Sequence, residues 1–232
     1  MSHCQICMTD MMPQIGWRAL FLKEDPFSIC RECASKFEEI KGETCRSCDR
    51  SLENVAPQFK VDDQCADCIR WETDAEWAGV LDRNYSLLTY NTFAKEVLAR
   101  YKFRGDYAIA FAFVPFIKQR LQSIPFDALV PIPLSEERLY ERGFNQSEAL
   151  IIASGYKPTN LLTRIHSEKQ SKKSRAERIH LPQVFQTEAS LSNEKVLLID
   201  DIYTTGSTLR HAAKLLKSAG AQSVCSLTLA RG

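Results

Sequence analysis

Two acidic residues followed by a hydroxyl-rich turn give this sequence its clearest chemical site. Asp200 and Asp201 come directly after the apolar run 196–199, and a Thr-Thr-Gly-Ser-Thr turn covers residues 204–208. Neighbouring carboxylates can accept hydrogen bonds from a vicinal diol, or hold a divalent cation that carries a pyrophosphate. Hydroxyl groups and free main-chain N–H groups of a turn suit a phosphate. These residue types together indicate a phosphorylated sugar as the ligand.

A strand and a helix must position this turn. The apolar run is too short for a helix and is followed at once by polar residues and glycine, which predicts a buried parallel strand. A helix is expected to begin at Ser207 and to end near Gly220. The turn would then lie at the carboxyl end of a strand, where open α/β sheets bind ligands. The candidate phosphate-binding residues are Thr204, Thr205, Gly206, Ser207 and Thr208.

Eight of the nine cysteines form four C-x-x-C pairs before residue 70. Each pair can hold one metal ion from a tight turn, and the spacings suit zinc-ribbon modules. Disulfides fit poorly with an intracellular chain, and four repeated pairs are unlike a single redox centre. We therefore expect two Cys4 zinc sites, hence two zinc ions per chain. The preferred grouping is Cys4, Cys7, Cys30 and Cys33 in one site and Cys45, Cys48, Cys65 and Cys68 in the other, but an interleaved grouping is also compatible with the spacing.

Charge and composition divide the chain near residue 77. Residues 1–78 carry a net charge of −6 and the remainder +7, so the cysteine-rich part suits partner docking better than contact with nucleic acid. We expect a zinc-binding module at 1–77 and an α/β domain at 78–232, beginning with a hairpin around Asp82-Arg83-Asn84. No apolar run approaches the roughly 20 residues of a membrane span, so we expect a soluble, intracellular protein without direct membrane insertion.

The stretch 196–209 resembles the 5-phosphoribosyl-1-pyrophosphate (PRPP) motif of type I phosphoribosyltransferases. Three further words, Lys-Phe-Arg-Gly-Asp at 102–106, Pro-Ile-Pro-Leu-Ser at 131–135 and Arg-Gly-Phe-Asn-Gln at 142–146, resemble the ComF family of bacterial competence proteins. The resemblance implies a type I phosphoribosyltransferase-like parallel sheet flanked by helices and preceded by a small zinc-ribbon-type module. It also implies PRPP, accompanied by Mg²⁺, as the ligand. Ribose hydroxyls would bind Asp200 and Asp201, the 5-phosphate the turn, and the pyrophosphate Arg138 and Arg142.

A basic run covers residues 164–178, with six Lys and Arg, two Glu and almost no apolar residue, which predicts a mobile loop. In phosphoribosyltransferases a loop at this place closes over the reacting centre. Gln170, Arg175 and Arg178 match the ComF pattern, whereas Lys173 stands where Leu is usual. A solvated loop without a specific role is an equal alternative. Lys172, Lys173, Arg175 and Arg178 could also contact nucleic-acid phosphates, with Tyr203 or Phe144 stacking on bases.

Two functions are compatible with the ComF resemblance. The first is a DNA-uptake factor of natural transformation that helps single-stranded DNA enter the cytoplasm and retains a PRPP-type pocket. It would work with a helicase-like competence ATPase of the ComFA type, which could recruit it to the inner face of the membrane. The second is an active phosphoribosyltransferase of nucleotide metabolism. Thr204 stands where the hypoxanthine-guanine branch has a carboxylate, and a hydroxyl cannot act as a base near neutral pH. Because other branches have Thr there, we assign no catalytic residue.

Overall fold

A parallel sheet forms the centre of this fold. The computed structural model describes residues 2–11, 29–53, 55–165 and 184–232. In chain order its elements are β1 (Ser2–His3), β2 (Asp10–Met11), α1 (Arg31–Ser35), a 3-10 turn (Pro57–Phe59), β3 (Lys60–Val61), β4 (Gln64–Cys65), α2 (Ala66–Thr73), β5 (Arg83–Thr89), α3 (Thr92–Phe103), α4 (Ile109–Leu121), β6 (Ala128–Pro131), α5 (Glu136–Arg142), α6 (Gln146–Ala153), β7 (Thr163–Arg164), β8 (Phe185–Gln186), β9 (Lys195–Tyr203), α7 (Ser207–Ser218) and β10 (Ser223–Arg231). The four central strands lie in the order β5-β10-β9-β6, and all three pairings are parallel.

The apolar run of β9 is buried on both faces of the sheet. Leu197 and Ile199 pack into a core that includes α4 and α6, whereas Val196 and Leu198 pack into a second core that includes α7. A strand covered by helices on both sides has no polar face, which is why the sequence shows a continuous apolar run and not an alternation. The predicted parallel sheet flanked by helices is therefore confirmed.

Residues 78–90 do not form the predicted hairpin. Arg83–Thr89 is the single strand β5, which pairs in parallel with β10. Asn84 is fully buried in this strand. Its Nδ2 donates to Ser86 Oγ at 2.8 Å, and its Oδ1 accepts from Ser226 Oγ at 2.8 Å. Because its polar atoms have partners inside the sheet, a residue type that is common in turns is accommodated within the edge strand β5.

The cysteine-rich segment packs directly on the sheet. Residues 38–40 run antiparallel to β5: Thr89 N–H donates to the Glu38 carbonyl at 2.8 Å and Ile40 N–H donates to the Leu87 carbonyl at 3.3 Å. The segment thus covers part of the outer edge of β5. The proposed division into 1–77 and 78–232 stays a prediction. None of the helices in the described part of the chain has the length and apolar character that crossing a membrane requires.

Candidate functional site

The hydroxyl-rich turn lies where β9 ends and α7 begins. β9 runs to Tyr203 and α7 starts at Ser207, so the predicted strand-turn-helix unit is confirmed. Gly206, between them, has a φ of +79°, a left-handed conformation that glycine adopts without a steric penalty. A β-carbon at this position would collide with the Tyr203 hydroxyl. The turn therefore requires glycine here.

A small concavity opens at this turn. It is lined by Asp200 and by residues 202–209, and its volume is about 30 Å³. The first N–H groups of a helix have no partner within the helix, and the helix dipole favours an anion at that end. Pockets that enclose a whole small molecule measure roughly 300–1,000 Å³. The concavity therefore has room for a group no larger than a small anion and not for a whole small molecule.

The two acids have different surroundings, because successive side chains of a strand point to opposite faces. Asp200 lines the concavity, accepts a hydrogen bond from the Asp201 main-chain N–H at 2.9 Å, and lies 3.5 Å from Ser147 Oγ. Asp201 is buried, and its carboxylate binds Lys102 Nζ at 2.8 Å. The structure therefore places Asp200 at the turn and Asp201 against a lysine that had no role assigned from the sequence.

The pKa of Asp200 is raised well above its ordinary value. Burial, first, and the charge of Asp201, second, raise the pKa of Asp200 to about 7. The hydrogen bond from the Asp201 N–H, the charge of Lys102 and the contact with Ser147 act in the opposite direction. A bound cation, or hydroxyl groups that donate hydrogen bonds, would favour the ionised carboxylate.

Three guanidinium groups act electrostatically on the acid pair or on one another. Burial lowers the pKa of Arg142, an effect that the charges of Asp201 and Asp200 oppose and that of Arg138 reinforces. Burial and the charge of Arg138 also lower the pKa of Arg164, which Asp200 again opposes. Guanidinium groups suit multiply charged anions, so these three arginines are candidate anion ligands. Arg164 was not assigned from the sequence, although its position at the start of the basic run was an available signal.

Residues near the second cysteine cluster hydrogen-bond to the main chain at Tyr203 and in the turn that follows it. Trp71 Nε1, in α2, donates to the Thr205 main-chain oxygen at 2.8 Å. Arg231 Nε donates to Cys48 Sγ at 3.5 Å, and Arg231 Nη1 donates to the Tyr203 main-chain oxygen at 3.3 Å. The Tyr203 side chain is only 2% exposed, so it cannot stack on a nucleic-acid base, contrary to expectation.

The eight paired cysteines form two clusters whose geometry fits zinc. The clusters are Cys4, Cys7, Cys30 and Cys33, and Cys45, Cys48, Cys65 and Cys68, and within each the sulfur atoms all lie within 4.8 Å of one another. The Cys7–Cys30 and Cys48–Cys65 sulfur pairs are each 3.7 Å apart. Four sulfurs at the Zn–S distance of about 2.3 Å in a tetrahedron are about 3.8 Å apart, whereas a disulfide requires about 2.05 Å. The preferred grouping is confirmed, and the interleaved alternative is wrong.

Main-chain groups support the same assignment. The N–H groups of Cys33 and Cys65 donate to the sulfurs of Cys30 and Cys45, both at 3.4 Å. Hydrogen bonds of this kind stabilise thiolate ligands around a bound metal. The buried guanidinium of Arg231 beside Cys48 offsets part of the negative charge that four thiolates bring. The donor set of both clusters therefore suits zinc.

Five residues of the predicted basic loop, Gln170, Lys172, Lys173, Arg175 and Arg178, lie outside the described residues. Their role in closing over a ligand or in contacting DNA stays a prediction.

Comparison with known proteins gives matches over both parts of the chain. A model of the phosphoribosyl transferase domain matches residues 148–232. Competence protein ComFC of Bacillus subtilis (strain 168) is 40% identical, over 98% of this chain and 94% of that protein. Competence protein ComFC of Streptococcus pneumoniae is 35% identical, over 98% of this chain and 99% of that protein.

More distant matches cover less of the chain. The DNA utilization protein YhgH of Escherichia coli (strain K12) is 30% identical over 42% of this chain and 46% of that protein. Among solved structures, adenine phosphoribosyltransferase from Saccharomyces cerevisiae matches with a TM-score of 0.33 and 17% identity, over 56% of this chain and 72% of that one.

Proposed function

We propose that this chain, which belongs to the ComFC family of competence proteins, handles single-stranded DNA during its uptake and carries a PRPP-type ligand site. The observation that best supports a role in DNA uptake is its likeness to two competence proteins over 98% of its length. The similarity to a DNA utilization protein agrees with the same role.

The charge arrangement supports a phosphosugar as the small ligand. The turn at 204–208 offers hydroxyl and N–H donors at a helix N-terminus, where a 5-phosphate would bind. Asp200 lies beside the turn, where it would bind the ribose hydroxyls. Asp201 would bind them too once Lys102 leaves its carboxylate and contacts the anion. Arg138 and Arg142, with Arg164, would hold the pyrophosphate. Mg²⁺ accompanying PRPP would take oxygen ligands from the acid pair.

We assign the DNA to the basic loop and the protein partner to the acidic zinc-binding segment. Lys172, Lys173, Arg175 and Arg178, together with Gln170, would contact DNA phosphates. The acidic zinc-binding segment would dock the helicase-like competence ATPase of the ComFA type, and that partner would bring the protein to the inner face of the membrane. The two zinc ions hold this segment in shape.

DNA binding can be tested by the fluorescence anisotropy of a labelled oligothymidylate over a range of salt concentrations. Removing one cation that pairs with a phosphate of a single strand should lower the slope of log K against log salt by about 0.7. Lys172→Ala and Lys173→Ala should each do so. The control is Lys157→Ala, which removes the same charge from an exposed side chain beyond the far end of α6. Equal effects of the three substitutions would contradict the loop assignment.

Catalysis can be tested separately, by incubating the protein with PRPP, Mg²⁺ and a panel of nucleobases while following pyrophosphate release. Binding of PRPP without turnover, abolished in Asp200→Ala/Asp201→Ala, is the expected result. Turnover that the same double substitution abolishes would support an active phosphoribosyltransferase instead. Failure of the wild-type protein to bind PRPP would remove the phosphosugar from the proposal and leave the DNA result standing.

A further inference from the structure

Three large aromatic side chains lie exposed around the turn that joins α3 to α4. Phe103, at the end of α3, is 71% exposed, and Tyr107 and Phe111, near the start of α4, are 37% and 44% exposed. The Tyr107 and Phe111 ring centres are 6.3 Å apart. We name these three residues the aromatic ledge. Large apolar side chains left together in water indicate a binding surface.

Positive charge lies beside Phe103 in the aromatic ledge. The Arg142 guanidinium lies 5.5 Å from the centre of the Phe103 ring, and Arg104, next in the chain, is exposed. On the other side of Phe103, Lys102 reaches Asp201 at 2.8 Å. Because Lys102 directly precedes Phe103 in the chain, the aromatic ledge adjoins the acid pair. The Arg142 guanidinium therefore lies within reach of a group that contacts the Phe103 ring.

A single-stranded nucleic acid fits this combination better than a protein does. Flat bases stack on exposed aromatic rings, and the phosphates between them meet arginine and lysine, as on other surfaces that bind single strands without sequence preference. The core of a protein interface, in contrast, is depleted of charged residues. The ledge would also supply the base-stacking role that was expected of Tyr203, which is buried.

We propose that the aromatic ledge is the base-stacking part of a single-stranded DNA surface, along which the strand passes the mouth of the phosphosugar site. Bases stack on Phe103 and Phe111, and a phosphate between them contacts Arg104. The proposal rests on the DNA-handling function proposed above. It predicts that stacking and charge contribute separately, because the rings carry no charge and the basic residues do.

The test measures the affinity of the full-length, zinc-loaded protein for oligothymidylate. Phe103→Ala and Phe111→Ala should each weaken binding by roughly 5-fold to 150-fold, the effect of removing one stacked aromatic ring. The slope of log K against log salt should stay unchanged, since every cation that meets a phosphate is still present. The matched control is Tyr140→Ala, because Tyr140 is 92% exposed on α5 but roughly 200° around that helix from Arg142.

A second measurement does not depend on a truncated side chain. Phe103→Trp keeps an aromatic ring at the ledge, so affinity should be retained and the new tryptophan fluorescence should change as oligothymidylate is added. Tyr140→Trp should show no such change. Zinc content and the thermal unfolding midpoint, Tm, show whether each variant is folded.

The outcomes separate the two proposals. If the wild-type protein binds oligothymidylate and both ledge substitutions leave its affinity unchanged, the ledge is wrong and the DNA-handling function stands. If the wild-type protein does not bind, both fall. If the wild-type protein forms dimers that Phe103→Ala dissociates, with DNA affinity unaltered, the ledge is a contact between copies of this chain.

Discussion

Replacing Asp200 by Asn should stabilise the protein at pH 8 and weaken its affinity for PRPP. In the folded protein, burial and the charge of Asp201 raise the pKa of Asp200 to about 7, whereas in the unfolded chain it is about 3.9. Between these values the folded chain holds a proton that the unfolded chain has released. The stability contribution of this carboxyl group therefore falls as pH rises from about 4 to about 7 and stays low above that.

The magnitude follows from the two pKa values. They differ by about 3, which corresponds to about 4 kcal/mol of unfolding free energy at pH 8. An amide in the same place is still a partly desolvated polar group, so we expect Asp200→Asn to recover about half of this, about 2 kcal/mol. For a chain of this length that is a rise in Tm of about 4–8 °C. At pH 5 the pKa difference is only partly in effect, and the rise should be about a third as large.

Thermal unfolding followed by circular dichroism in phosphate-free buffer at pH 5 and pH 8 provides the measurement, with zinc content checked in each sample. The matched control is Asp62→Asn, the same chemical change at an exposed residue whose φ of +49° asparagine tolerates. A rise in Tm that is the same at both pH values, or larger at pH 5, would show that the carboxylate of Asp200 is not held at a cost in the folded protein.

Four further predictions concern the turn and the metal clusters. Trp71→Phe removes the hydrogen bond to the turn and should weaken PRPP binding, measured by calorimetry, about fivefold, which corresponds to about 1 kcal/mol. The zinc content, measured by metal analysis, should stay unchanged. Gly206→Ala places a β-carbon against Tyr203 at a left-handed φ and should destabilise the protein by more than about 1 kcal/mol; an unchanged Tm would contradict this. Metal analysis should find two zinc ions per chain, one per cluster. Cys48→Ser should lose one ion and weaken PRPP binding, whereas Cys7→Ser should lose one and leave PRPP binding intact.

Features that depend on neighbouring residues could be predicted from the sequence. The apolar run before the acid pair, the glycine of the turn and the C-x-x-C pairs each express a local constraint: burial on two faces, a left-handed φ, or two thiolates on one metal. The same local constraint predicted the paired cysteines as metal ligands, whereas their grouping was only a preference that the spacing left open and that the structure confirmed.

Features that depend on long-range pairing could not be predicted in this way. Asn84 indicated a turn because asparagine is common in turns. Its actual partner, Ser226, belongs to a strand at the other end of the chain, and no residue near Asn84 in the sequence indicates that contact. Lys102 lies almost 100 residues from the aspartate that it binds, and nothing in its local pattern indicates that contact. Tyr203 was expected as a candidate stacking group for bases, whereas it is buried at the end of β9, with the Arg231 guanidinium 4.8 Å from the centre of its ring.

The segment 38–40, which runs along β5, has a consequence for the protein when metal is scarce. Its position is fixed between Cys33 of one cluster and Cys45 of the other. Without metal both ends of the segment would lose their anchors, and the main-chain groups of β5 that it now occupies would be more open to a strand of another molecule. Zinc starvation would then favour aggregation through this strand edge. The ions would therefore limit aggregation between copies of the chain as well as hold the segment in place.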